Sequence, residues 1–143
     1  MPDETDPLWK GFLGLWILDP ESCRYEQGEP PRSGSYRIEE TDDGRLAFHM
    51  EWVDAAGEAH RASFTGTPDG KPEPFAGGDL ADAMSVTPAS PRELNSAAYM
   101  KGRELMIASR QLDETGQAMR LIQAVLLPSG EKPVNISIYV RAQ

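Results

Sequence analysis

The side chains in this chain with the capacity for chemistry are few and far apart. The two histidines, His49 and His60, flank a turn at residues 54–57, so they fall on neighbouring strands. Counting outward from that turn sets His60 opposite a residue near Met50 or Glu51, which leaves a His49–His60–Glu51 cluster open. A metal needs three or four converging ligands and only two histidines exist, so surface or pairing roles are expected and no metal. The single cysteine, Cys23, has no disulfide partner, no nearby histidine and no nucleophile signature around it, and reads as a small half-buried thiol. Carboxylates such as Glu51 or Glu104 could serve acid–base chemistry in a dry cavity, yet nothing in the pattern selects one. No nucleophile elbow, phosphate loop or metalloprotease motif occurs, and Gly77-Gly78-Asp79 reads as a loop. The expectation is therefore no catalytic residue and no cofactor.

Composition narrows the partners. The chain has 143 residues, 39% of them apolar and 26% charged, which fits one globular domain over 1–143. The net charge of −9 is spread along the chain, and nucleic acids and anionic membranes are both held through clustered Lys and Arg, so neither partner is expected. No apolar run approaches the ~20 residues of a membrane span. The acidic start Met1-Pro2-Asp3-Glu4-Thr5-Asp6 lacks the basic and apolar regions of a signal peptide, and the expected location is cytoplasmic.

The elements that must position any site are strands. Asp6-Pro7-Leu8-Trp9 predicts one short helical turn that folds Trp9 back onto the body. The run Phe12–Leu18 reads as an opening strand stopped by Asp19-Pro20. Residues 19–33, rich in Pro, Glu, Gly and Ser, form a long irregular connection of the sort that serves as a cap. Strands are then predicted at 35–40, 45–53, 58–66, 72–76, 82–87, 93–100, 104–112, 118–127 and 133–141, joined by Gly-bearing hairpin turns. With the opening strand these make ten. The turn pattern Gly44-Arg45-Leu46, 54–57, 68–70 recurs as Gly102-Arg103, 113–116, 128–130, as expected for a meander of regular hairpin length.

Ten hairpin-linked strands either leave two bare edges or curl until the first meets the last, so a closed antiparallel up-and-down barrel is expected. Period-2 alternation puts Leu46, Phe48, Met50 and Trp52 on one face. In the later strands, an apolar face (Leu105, Ile107, Ile136, Ile138) opposes a mixed one (Met106, Ala108, Arg110, Asn135, Ser137, Tyr139, Arg141). That mixed face is either barrel exterior or a lumen with polar groups among Met and aromatic residues.

Gly14-Leu15-Trp16 in the first strand and Tyr139-Val140-Arg141 in the last resemble the calycin superfamily of lipocalins and fatty-acid-binding proteins. There a G-x-W and a late Arg or Lys pack together at the closed end. The resemblance implies that Trp16 lies under Arg141 in a cation–π contact and that Gly14, Trp16 and Arg141 are structural rather than ligand-binding. The strand number fits the fatty-acid-binding branch better than the eight-stranded lipocalins. Two departures matter: residues 19–33 do not read as a helix-turn-helix lid, and Tyr139-x-Arg141 reverses the Arg-x-Tyr order with which that branch holds a carboxylate. A haem-binding branch needs a late histidine that this chain lacks.

The expected function is enclosure of a small apolar or amphipathic molecule, with Met50, Trp52, Tyr99, Met106, Arg110, Gln123 and Tyr139 as candidate cavity liners. The alternatives are a lyase, cyclase or isomerase using the same cavity, and a filled barrel that forms a homodimer.

Overall fold

The computed structural model describes residues 6–74 and 81–142. Its elements are β1 (Gly14–Leu18), β2 (Arg24–Tyr25), β3 (Ser33–Glu40), β4 (Leu46–Val53), β5 (Ala59–Gly66), β6 (Glu73–Pro74), β7 (Ala83–Ser90), β8 (Glu93–Met100), β9 (Arg103–Leu112), β10 (Ala118–Val125) and β11 (Val134–Arg141). Short 3-10 turns at Lys10–Phe12 and Pro20–Ser22 are the helical pieces among the described residues. The N-terminal turn falls later than Asp6-Pro7 suggests and takes Phe12 out of the opening strand. Trp9 nevertheless packs on the core and ties its indole N–H to Glu40 at 2.6 Å.

All pairings are antiparallel, in the order β5-β4-β3-β1-β11-β10-β9-β8-β7-β6, and β2 adds to β11 beyond the end of β1. First and last strands meet, so the barrel is nearly closed and the ladder stops instead between β5 and β6–β7. At one end this seam is stitched. Arg45 Nη2 meets Glu73 Oε2 at 2.9 Å, the backbone N–H of Thr67 donates to the same carboxylate, and Gly70 N–H donates to Val86 O at 2.9 Å. Gly66 is required there, since a Cβ would lie 2.6 Å from Val86 Cγ2. Toward the other end Ala59–Ser63 of β5 are exposed on both faces.

The predicted strands match these elements with three differences. The two-residue β2 lies inside the 19–33 connection, where no alternation marks it. β7 runs to Ser90 through Pro88, which a register shift accommodates. The strand expected at 72–76 shortens to Glu73–Pro74, and the rest of it, like Gly77-Gly78-Asp79, lies outside the described residues.

The core fills the closed half. Phe12, Trp16, Tyr36, Ile38, Leu46, Phe48, Val86, Leu94 and Met119 are all at most 1% exposed. Trp16 and Arg141 share one rung of the β1–β11 ladder. The guanidinium carbon of Arg141 lies 4.2 Å from the Trp16 ring centroid, while the indole N–H donates to Phe12 O at 2.9 Å. Arg141 Nη1 donates to Leu13 O at 2.8 Å, Nη2 to Gly11 O at 2.6 Å and Nε to Gly116 O at 3.3 Å. Gly14 has φ +122°, and a Cβ there would stand 3.0 Å from Arg141 Nη1. Backbone conformation and the approach of the arginine both demand glycine at this position.

Candidate functional site: the barrel lumen

The rung shared by Trp16 and Arg141 decides which face of the later strands turns inward. Tyr139, Ser137 and Asn135 follow Arg141 by alternation. Register then carries the inward phase across to Met119, Leu121 and Gln123 on β10 and to Arg110 and Ala108 on β9. The mixed face is thus the lumen, and Ile107, Ile122, Ile136 and Ile138 point outward.

Above the core the inward side chains enclose a cavity of about 250 Å³. Tyr25, Tyr36, Met50, Trp52, Leu121, Gln123, Ser137 and Tyr139 line it, with Glu29 and Pro31 at its mouth. The 19–33 connection acts as a strap over this mouth. Asn135 accepts from the N–H groups of Glu26 and Gln27 at 2.9 and 3.0 Å and donates to Gln27 O at 2.9 Å. The strap sends Tyr25 inward, where its hydroxyl and that of Ser137 are 2.7 Å apart. Burial pushes the Tyr25 phenol above its ordinary pKa, and it pushes Tyr139, which stands edge-on to Tyr36 at 5.6 Å, further in the same direction. Both are neutral hydrogen-bonding groups at pH 7.

Beneath the cavity lies Arg110, 2% exposed. Nε donates to Tyr36 OH at 3.0 Å and Nη1 to Ser96 Oγ at 3.1 Å, with Leu94 O at 3.5 Å. Its guanidinium carbon is 4.8 Å from the Phe48 ring centroid and 5.7 Å from that of Tyr36. Among the described residues no carboxylate pairs with it, and its Nη2 makes no hydrogen bond. A cation in such a place is compensated by neutral dipoles and aromatic faces alone.

The sequence-derived candidates divide in space. Met50, Trp52, Gln123 and Tyr139 line the cavity and Arg110 adjoins it through Tyr36 and Leu121. Met106 keeps the inward phase but sits at the open end, 40% exposed. Tyr99 is corrected to the outer face. It alternates against the inward Leu94, Ser96 and Ala98, and its hydroxyl bonds Ser85 at 3.1 Å. Tyr25, Tyr36, Leu121 and Ser137 were not among the candidates. Tyr36 was legible from its alternation with Ile38, whereas Tyr25 lies in a stretch without a period.

His49 and His60 do not converge. Their ladder partners are Ser63 and Trp52, which places the two rings on opposite faces of the sheet. His49 meets Ser63 Oγ at 3.0 Å and Glu39 at 3.7 Å. His60 stacks on Trp52 at 5.4 Å, and its Nε2 reaches Asp54, not Glu51, at 2.8 Å, which holds the Asp54 carboxyl below its ordinary pKa. Asp54, Glu58 and His60 gather within 4.8 Å, but they do so at an exposed turn. Cys23 is half-buried with its thiol on Asp19 O at 3.4 Å, and Glu51 and Glu104 are exposed.

No family model and no curated protein matches the sequence. Solved structures do match the fold. The fluorescent protein UnaG aligns with TM-score 0.60 at 14% identity, over 94% of this chain and 99% of its own. A protein of unknown function from the DUF3598 family, from Nostoc punctiforme, aligns with TM-score 0.61 at 17% identity, covering 96% of this chain but 49% of its own. The zebrafish ileal bile acid-binding protein, in complex with cholic acid, aligns with TM-score 0.51 at 10% identity over 93% of this chain and all of its own. These likenesses show the fold alone, an antiparallel β-barrel shared with those structures.

Proposed function

We propose that this protein binds a small amphipathic molecule in its lumen, with the apolar body against Met50, Trp52 and Leu121 and an anionic or strongly accepting head directed at Arg110. The observation that carries the reading is the buried Arg110, whose partners are hydroxyls, a carbonyl and aromatic faces. An arginine recognises a carboxylate through paired N–H donors, and Nη2 is the donor still open. Tyr36, Tyr139 and Tyr25 add neutral hydroxyls that orient the head. A cavity of about 250 Å³ suits a short ligand, since ligand pockets usually run from roughly 300 Å³ upward. That one of the matching structures is a bile acid-binding protein in complex with cholic acid supports the class of ligand, an apolar body with an acid, without specifying it.

Octanoic acid and 1-octanol share a tail and differ in the head, and Trp52 in the cavity wall supplies the fluorescence signal. A hydrogen bond to a charged group contributes about 1.5–3 kcal/mol, so the acid should bind at least ~10-fold more tightly than the alcohol. Arg110→Met should erase that difference, and Trp52→Phe should remove the signal. Equal affinity for acid and alcohol, or binding of neither, overturns the reading.

A further inference from the structure

Two side-chain amides share a rung near the mouth of the lumen, and they are used differently. Asn135 and Gln123 are ladder partners on β11 and β10. Asn135 spends both its oxygen and its nitrogen on the strap. Gln123 is half-buried, lines the cavity and makes no hydrogen bond among the described residues. It is not walled in, because the one solvent-shielded side-chain atom without a partner among those residues is Asn95 Oδ1, on β8. The inward Gln123 amide therefore lacks a partner because it opens on the cavity, where it offers a donor and an acceptor to the molecule that fills the space.

Register sets the height of this amide. Leu121 is the ladder partner of Arg110, and Gln123 follows two residues nearer the mouth, about 7 Å along the strand. Across the lumen, Trp52 likewise stands two residues beyond Met50, the partner of Tyr36. Arg110 and Tyr36, joined at 3.0 Å, thus form a lower polar level and Gln123 an upper one, with aromatic rings in the walls of both. A tail apolar along its whole length would cover the Gln123 amide without pairing it, which costs the desolvation of both its groups. Charge decides what the upper level accepts. Glu29, Glu51 and Asp54 lie on the lining and no Lys, Arg or His does, so a second carboxylate would meet like charge there.

We infer that the ligand of this cavity is a short aromatic acid with a neutral polar group, a hydroxyl or a carbonyl, about 7 Å from its carboxylate, and that Gln123 selects for that group. Such selection presupposes Arg110 as the seat of the acid head and assigns the far end of the same molecule. A cavity of about 150 Å³ holds a benzene, so one of about 250 Å³ takes a ring with short substituents.

Calorimetric titration of the whole chain with phenylacetic acid and its 4-hydroxy and 2-hydroxy derivatives varies the polar group at constant ring and head. The 4-hydroxy acid should bind about tenfold more tightly than phenylacetic acid, and the 2-hydroxy isomer, whose hydroxyl lies beside the carboxylate, should gain nothing. 1,4-Phenylenediacetic acid, with a charge at the far end, should bind more weakly than the 4-hydroxy acid. Gln123→Leu should erase the preference for the 4-hydroxy acid, and Arg110→Met should weaken every acid in the series. If phenylacetic acid and the 4-hydroxy acid bind equally and both depend on Arg110, the acid site stands and selection by Gln123 is overturned. Equal gain from the 2-hydroxy isomer, or a preference that survives Gln123→Leu, overturns it as well. Binding of none of these acids overturns the acid site and the selection together.

Discussion

The barrel holds two arginines over aromatic rings, and the contrast between them separates structure from function. Arg141 lies over Trp16 at the closed end and spends its donors on three backbone carbonyls, those of Gly11, Leu13 and Gly116. Those acceptors belong to the chain entering β1 and to the turn before β10, so the side chain ties together segments more than a hundred residues apart. Arg110 lies over Phe48 and Tyr36 and is held by two side-chain hydroxyls and a carbonyl at 3.5 Å. Similar stacking thus serves one cation hydrogen-bonded through all three of its nitrogens and another whose Nη2 makes no hydrogen bond among the described residues. Backbone carbonyls are fixed by the fold and define a joint, while hydroxyls can turn toward a newcomer.

Breaking the first site should have the largest effect. Trp16→Ala removes a fully buried aromatic together with the floor under Arg141, and should cost roughly 3–5 kcal/mol by denaturant unfolding. A variant as stable as the parent would show that the closed end does not depend on this ring. Arg141→Met should come next, at about 2 kcal/mol, since charge-assisted bonds to three carbonyls are lost with the cation–π contact.

The same substitution at the second arginine sharpens the contrast. Arg110→Met exchanges a buried cation lacking a carboxylate for an apolar side chain, a change that is often neutral or stabilising. The melting temperature should hold or rise while preference for the carboxylic acid disappears. A loss of stability as large as at Arg141 would make the two residues equivalent and erase the distinction. The smallest effect is confined to alkaline pH. Tyr139 has its folded pKa raised above the unfolded value of 10.0, so its contribution to stability is complete below that pH and is lost as pH rises through the folded value. Tyr139→Phe should flatten the stability decline above about pH 10, and an unchanged slope would place the titration elsewhere.

The ten strands of the main ladder, their hairpins and the closure of first strand on last were legible because alternation and turn glycines are local signals. The Gly14–Trp16–Arg141 group was legible from a motif, and most lumen residues from alternation within strands. Arg110 could be named as a candidate. The want of a charged partner could not, because that depends on every strand that surrounds it.

Other features lay outside the reach of sequence. The seam falls between β5 and β6–β7 because long-range pairing of β1 with β11 consumes the terminal edges, and nothing local records which pair is left over. Tyr25 enters the lumen because two backbone residues add to β11, a match between segments more than a hundred residues apart. His49 and His60 part company because a register of one residue decides the face.

By itself, then, the sequence determined the element type, the period of each strand and the residues whose conformational freedom or bulk suits a barrel end. Only the tertiary structure decided which of two alternating faces is inside and where Arg110 finds its neighbours. The physical reason is that period and turn chemistry act over a few residues, whereas burial and hydrogen-bond satisfaction are properties of the closed sheet.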